Sequence, residues 1–135
     1  MIKKIVFCFM ILFLSSTVAT AQSNQVEIFN INNGKIEKNV PLNEDIQQEA
    51  GNLINGITDV YRRMEPIPNK GMMIKVPLQP AVLVENSLFH DLVDEVIIII
   101  PPKEDPYLMM FDNENKPHFF TFKGKVDPIL LKLGK

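Results

Sequence analysis

His90 and Asp94 are the side chains whose types and spacing come nearest to a chemical site. On a helix, residues four apart lie on one face, so this pair could bind a divalent metal ion. Zinc needs at least three protein ligands, and His118 or Glu85 would have to complete the set. The alternative interpretation is a polar helix face without a chemical role. The sequence favours this alternative, and we expect neither a metal ion nor a cofactor.

Other catalytic groups are scarce. Carboxylates from distant parts of the chain could converge for glycoside hydrolysis, but the chain has no tryptophan to form a usual sugar-stacking surface. A small hydrolase around His90 and Asp94, dependent on a metal ion or on carboxylates, is therefore the catalytic alternative. The pairs Met72-Met73 and Met109-Met110 could suggest copper(I) binding. Adjacent strand residues point to opposite faces, so we expect both pairs to fill a core.

Two kinds of binding segment can be identified. Tyr61, Arg62 and Arg63, together with Lys70, could form a patch for an acidic partner, although a solvated helix end would have the same composition. Proline-framed loops at residues 66–70 and 77–80 could instead block an enzyme, as in a secreted inhibitor or an immunity-type protein.

Nucleic acid is excluded as a partner. The net charge is −2, and the sequence has no cluster of lysines and arginines that could neutralise phosphate groups.

Residues 1–21 have the three parts of a secretory signal peptide. A start with two lysines precedes an apolar stretch at residues 5–14, and Ala19 and Ala21 match the small-residue cleavage pattern. The apolar stretch is shorter than the about 20 residues of a transmembrane helix. We expect cleavage after Ala21, with Gln22 as the new N-terminus and no membrane span afterwards; an uncleaved anchor is the alternative. The only cysteine would leave with this segment, so packing alone would hold the exported part.

The first elements of residues 22–135 are a hairpin and a helix. An Asn33-Gly34 pair predicts a β-hairpin with a type I′ turn between strands at residues 26–31 and 36–40. Asn43 has the composition of an N-cap and begins a predicted amphipathic helix over residues 43–64. Its apolar stripe is formed by Ile46, Ala50, Leu53, Ile54, Ile57, Val60, Tyr61 and Met64. Gly56 borders this stripe and would permit the close approach of a strand.

Strands dominate the remainder of the chain. The stretches at residues 72–76 and 81–85 are strand-like, and the prolines between them predict either an edge strand or a kink. A short helix is predicted at residues 86–94, with Leu88, Phe89, Leu92 and Val93 facing inward. Two further strands would form a second hairpin at residues 107–122, and Asp127-Pro128 would begin a terminal helix at residues 127–133.

Val96 is followed by four isoleucines, and such a run predicts a central strand that is buried on both faces. The long helix would cover one face, and residues 86–94, residues 127–133 and loops would thinly cover the other. The predicted fold is therefore α+β, with a largely antiparallel sheet packed on one long amphipathic helix, in a single small domain of residues 22–135.

These patterns favour a secreted or cell-envelope protein that binds an unknown protein or envelope component without catalysis. We expect a monomer, with a dimer as the alternative. The hydrolase and the inhibitor or immunity-type protein remain the competing hypotheses.

Overall fold

The computed structural model describes residues 24–135. The predicted cleavage site, with Ala19, Ala21 and Gln22, lies outside the described residues. Within residues 24–135, no helix has the length and apolar character that a membrane crossing requires.

Seven strands of this part of the chain form one antiparallel sheet. They are β1 (Gln25–Asn30), β2 (Lys35–Pro41), β3 (Ile57–Val60), β4 (Met72–Glu85), β5 (His90–Ile100), β6 (Tyr107–Phe111) and β7 (Pro117–Phe122). Across the sheet, their order is β2-β1-β4-β5-β6-β7-β3. The isoleucine run belongs to β5, which therefore lies in the middle of the sheet with three strands on each side.

Two short helices stand where the sequence predicted one long helix and a terminal helix. They are α1 (Glu44–Asn55) and α2 (Asp127–Lys132). α1 begins as predicted, because the Asn43 side chain accepts a hydrogen bond from the backbone N–H of Ile46 at 2.8 Å. It ends far short of residue 64. The predicted fold, a sheet packed on one long amphipathic helix, is therefore wrong: the protein is mostly sheet.

Gly56 ends α1 because its backbone lies against the chain that leaves β7. A Cβ atom at this position would lie 2.3 Å from the carbonyl oxygen of Lys123. The backbone N–H of Lys123 donates to the Gly56 carbonyl at 2.7 Å. This contact confirms that the glycine permits a close approach, but the chain then continues as β3 and pairs with β7. Ile57 and Val60 fit a helical spacing, yet their β-branched side chains also suit a strand.

The predicted short helix at residues 86–94 is also wrong. Asn86 begins a tight turn, in which its side chain accepts hydrogen bonds from the N–H groups of Leu88 and Phe89 at 2.8 Å each. β5 begins directly after the turn, at His90. Short polar side chains that bind nearby N–H groups stabilise turns in competition with helices, and Asn86 does so here.

The first hairpin forms where the sequence predicted it, but with a turn of a different type. Four residues connect Asn30 to Lys35, and Gly34 has a φ of 69°. A type I′ turn would need positive φ at two central positions. Among the non-glycine residues from 24 to 135, positive φ occurs at Asn115 alone. The predicted type I′ turn is therefore wrong.

The isoleucine run is covered on both faces, which confirms the central-strand prediction. Val96 and Ile98 belong to the large core that also contains the buried residues of α1 and α2. Ile97 and Ile99 belong to a smaller cluster on the opposite face. α2 forms within the predicted residues 127–133, yet it packs on the same side as α1. The prediction that it covers the opposite face is wrong.

Candidate functional site

The structure separates the two residues of the predicted catalytic pair. His90 and Asp94 lie on β5, where four residues of extended chain span about 13 Å. His90 instead lies across from Glu85, with 3.4 Å between Nε2 and Oε1. His118 pairs elsewhere, with 2.8 Å between its Nε2 and Oδ2 of Asp112. In residues 24–135, no three His, Cys, Asp or Glu side chains are grouped so that they could hold a metal ion.

The methionine pairs divide between the two faces of the sheet, as the strand alternation predicted. Met72 and Met110 pack in the large core. Met73 and Met109 pack with Ile97 and Ile99 in the smaller cluster. Neither pair converges on one point, and all four side chains fill apolar volume.

The predicted basic segment forms a strap over the smaller cluster. We use the name strap for residues 61–70, which connect β3 to β4. The Tyr61 ring stacks on Tyr107 at a centroid distance of 3.7 Å. Its hydroxyl donates to Glu104 Oε2 at 2.9 Å, and an Arg63 guanidinium nitrogen lies 2.7 Å from the other oxygen of the same carboxylate. The Tyr107 hydroxyl donates to the carbonyl of Pro66. These contacts hold the strap against the sheet.

The strap does not present its cations as one patch. The charge of Arg63 is paired with Glu104, and Arg62 lies 3.6 Å from Asp59 on β3. Lys70 lies exposed at the far end of the strap. Of the four residues that the sequence suggested for an acidic partner, Tyr61 and Arg63 meet at one carboxylate, whereas Arg62 and Lys70 lie apart from them.

The phenol groups of Tyr61 and Tyr107 are held in their neutral, protonated form. Burial raises the pKa of Tyr107 above its ordinary value, and burial together with the hydrogen bond to Glu104 raises the pKa of Tyr61. A phenol with a raised pKa is protonated near neutral pH and is a poor nucleophile or base. The arrangement is suited to fixing the strap rather than to chemistry.

The two proline-framed loops are held on the body of the protein. Pro66 accepts the hydrogen bond from Tyr107. In residues 77–80, Leu78 is buried, and the Gln47 side chain of α1 bridges the segment. Gln47 accepts from the N–H of Gln79 at 3.0 Å and donates to the carbonyl of Pro80 at 3.3 Å. Neither loop has the free, projecting form that would favour an enzyme inhibitor.

β4 and β5 extend beyond the rest of the sheet as a two-stranded arm. β1 pairs with β4 over residues 72–75, and β6 pairs with β5 over residues 96–99. Residues 82–85 of β4 pair with residues 90–93 of β5, and we call residues 82–93 the β4–β5 arm. A register shift between Pro77 and Val82 separates it from the sheet. This shift confirms the kink that the prolines predicted, because neither Pro77 nor Pro80 can donate a ladder hydrogen bond.

The arm has one buried face and one exposed face. Val82, Val84, Phe89 and Val93 pack on the large core. On the outer face, Leu83 lies directly opposite Leu92, and the two side chains are 55% and 63% exposed. Glu85 and His90 form the next pair along this face. The arm thus carries a cross-strand pair of leucines in contact with solvent.

The arm is also acidic. Between Lys75 and Lys103, the sequence contains no lysine or arginine, and it contains the four acidic residues Glu85, Asp91, Asp94 and Glu95. Lys75 pairs with Glu95 at 3.3 Å, at the point where the arm joins the sheet. Within the arm itself, the acidic residues are Glu85 and Asp91, and no lysine or arginine is present.

Sequence reasoning missed this surface because Leu88, Phe89, Leu92 and Val93 also fit the spacing of a helix. The prediction that all four face inward holds for Phe89 and Val93, and it is wrong for Leu88 and Leu92. A strand interpretation would have assigned Leu92 and Val93 to opposite faces. That alternation was the available signal.

Comparisons with protein-family models, with curated proteins and with solved structures found no match to this chain.

Proposed function

We propose that this protein is a noncatalytic binding protein of the extracytoplasmic space that contacts a protein partner through the outer face of the β4–β5 arm. The observation that carries the proposal is the exposure of Leu83 and Leu92, at 55% and 63%, directly opposite each other on paired strands. A single exposed leucine is ordinary on a protein surface. Two leucines that form a cross-strand pair on the outer face of the arm make a continuous apolar contact, which is typical of an interaction site.

The distribution of reactive groups supports binding over the hydrolase hypothesis. His90 and Asp94 are too far apart to act on one atom. His90 is instead a neighbour of the leucine pair, where its ring and the Glu85 carboxylate add polar contacts at the rim of the apolar surface.

The location rests on the signal-peptide pattern of residues 1–21. We propose that the protein is secreted or held in the cell envelope, that it is a monomer, and that its partner is a different protein. A second copy of the chain is the alternative occupant of the arm.

Site-specific photo-crosslinking tests the proposal. A photoreactive phenylalanine analogue is introduced at Leu83 in one variant and at Leu131 in another, in cells that export the full chain. Leu131 is 76% exposed on α2 and is the control for general surface contact. We expect a discrete adduct with a second protein from position 83 and none from position 131. Identical adduct patterns at the two positions would contradict the proposal, and an adduct of twice the chain mass would favour a dimer.

A further inference from the structure

The outer edge of the β4–β5 arm has the features of a site for an added strand. Beyond residue 75, β1 no longer pairs with β4, and among residues 24–135 β5 is the only strand paired with residues 82–85 of β4. α1 approaches this edge through Gln47, which engages Gln79 and Pro80. Farther along, the backbone of Leu83 to Glu85 has a neighbouring strand on one side only.

The pairing pattern identifies the backbone groups that face the open side. The N–H of Asn86 donates to the carbonyl of Phe89 at 2.9 Å, so the backbone of Asn86 points toward β5. In an antiparallel ladder, successive residues direct their N–H and C=O groups to alternate sides. Leu83 and Glu85 therefore direct their backbone groups away from β5. An extended segment beside β4 could exchange ladder hydrogen bonds with both residues.

The side chains and charges of the arm restrict the chemistry of that segment. A strand beside β4 would place a side chain next to Leu83 on the outer face, where an apolar residue would extend the contact with Leu92. Glu85 lies on the same outer face, two positions after Leu83, so a basic residue two positions from that apolar residue would lie beside the Glu85 carboxylate.

From these features, we propose that the arm binds an extended protein segment that carries an apolar and a basic residue two positions apart, and that this segment adds as a strand to the edge of β4 at Leu83 and Glu85. The inference rests on the proposed function and specifies the partner of the same surface. It distinguishes strand addition, which uses backbone hydrogen bonds, from docking on the outer face alone.

Three probe peptides of about nine residues test the inference against the purified exported chain. The first carries valine and lysine in turn at every second position with threonine between them, the second replaces each lysine with glutamate, and the third is the lysine peptide with N-methyl groups at alternate residues. N-methylation removes backbone donors and keeps charge and side chains. We expect the lysine peptide to bind, the glutamate peptide not to bind, and the N-methylated peptide to bind about tenfold or more weakly. We also expect binding to weaken as salt is raised.

Hydrogen exchange and two charge reversals locate the contact. The lysine peptide should slow exchange at the amides of Leu83 and Glu85. Glu85→Lys should weaken binding, whereas Glu65→Lys, on the exposed strap, should not. No binding of the lysine peptide, equal binding of the N-methylated peptide, or unchanged exchange at Leu83 and Glu85 would each overturn strand addition. The proposed function would survive such a result if the crosslink from position 83 still formed, and would fail separately if it did not.

Discussion

The ring of Tyr61 lies parallel to the ring of Tyr107, with 3.7 Å between centroids and 8° between planes. One ring belongs to the strap and the other to β6, so this stack joins a connecting segment to the face of the sheet opposite the helices. Tyr107 is 1% exposed beneath it. The second face of the isoleucine strand is thus closed in part by a loop, as the sequence suggested, whereas the two short helices that it also suggested for this face do not cover it.

Replacing Tyr61 should loosen the strap. Tyr61→Ala removes the stack and the hydrogen bond to Glu104, and we expect it to lower the free energy of unfolding by about 2 kcal/mol. Tyr61→Phe keeps the stack and should cost about 0.5 kcal/mol. Chemical denaturation measures both. Equal effects of the two substitutions would mean that the stack contributes nothing.

Asp112 should make stability depend on pH in the acid range. The hydrogen bond with His118, supported by the N–H groups of Lys116 and Glu114, lowers the pKa of the Asp112 carboxyl in the folded protein. The ionised Asp112 carboxylate therefore stabilises the folded protein above the unfolded pKa of about 3.9. This stabilisation is lost as the pH falls through the lower folded pKa. Asp112→Asn should be less stable than the wild type at neutral pH, with a difference that shrinks below pH ~4.

Thermal unfolding across this pH range measures that difference. The double variant Asp112→Asn/His118→Gln tests the assignment of the partner. If His118 is the main partner, the second substitution should add little to the first. A difference between Asp112→Asn and the wild type that stays constant down to pH ~2 would contradict the assignment.

Aspartate at the isoleucines tests the cover on each face of β5. Ile98 and Ile99 are fully buried on opposite faces, and Ile97 is 8% exposed. An unpaired buried carboxylate costs several kcal/mol, a large part of a stability of about 5–15 kcal/mol. We expect Asp at each of these positions to unfold the protein, as measured by circular dichroism. Leu92→Asp on the same strand is the matched control and should remain folded.

If Ile97→Asp or Ile99→Asp stayed folded and changed only the assembly state, the face of the sheet beneath the strap would be an interface between proteins. The arm would then no longer be the preferred candidate for the binding surface.

Gly51 within α1 and Gly56 at its C-terminal cap should respond in opposite directions to alanine. Gly51→Ala places its methyl group in open space and should stabilise the protein by up to about 1 kcal/mol, because alanine has the higher helix propensity. Gly56→Ala would place a Cβ atom 2.3 Å from the Lys123 carbonyl oxygen and should destabilise the protein. Melting temperatures measure both effects. Stabilisation by both substitutions would show that α1 and β7 do not meet at Gly56.

Processing of the chain should follow the signal-peptide pattern. Mass spectrometry of exported protein should find a chain that begins at Gln22, in part as pyroglutamate. Ala19→Arg and Ala21→Arg should block cleavage, since signal peptidases accept small residues at these positions. An exported form that retains residues 1–21 would favour an N-terminal anchor.

The sequence by itself determined the features that depend on local chemistry or on simple alternation. Asn43 caps α1 because its side chain reaches an N–H group only three residues away. The side chains of the isoleucine run could all be buried only if both faces of the strand were covered. The central position of this strand in the sheet therefore followed from composition. The kink at Pro77 and Pro80 followed from their missing N–H groups.

Only the tertiary structure decided where strands replaced helices. The apolar residues Ile57 and Val60 fit a helical stripe and a strand about equally, and pairing with β7, sixty or more positions away in the sequence, selected the strand. Leu92 likewise fits the inner face of a helix. The register shift after Pro77 instead places it opposite Leu83 on the outer face of the arm. In each case local spacing is compatible with both a helix and a strand, and pairing with a neighbouring strand of the sheet supplies the free energy that separates them.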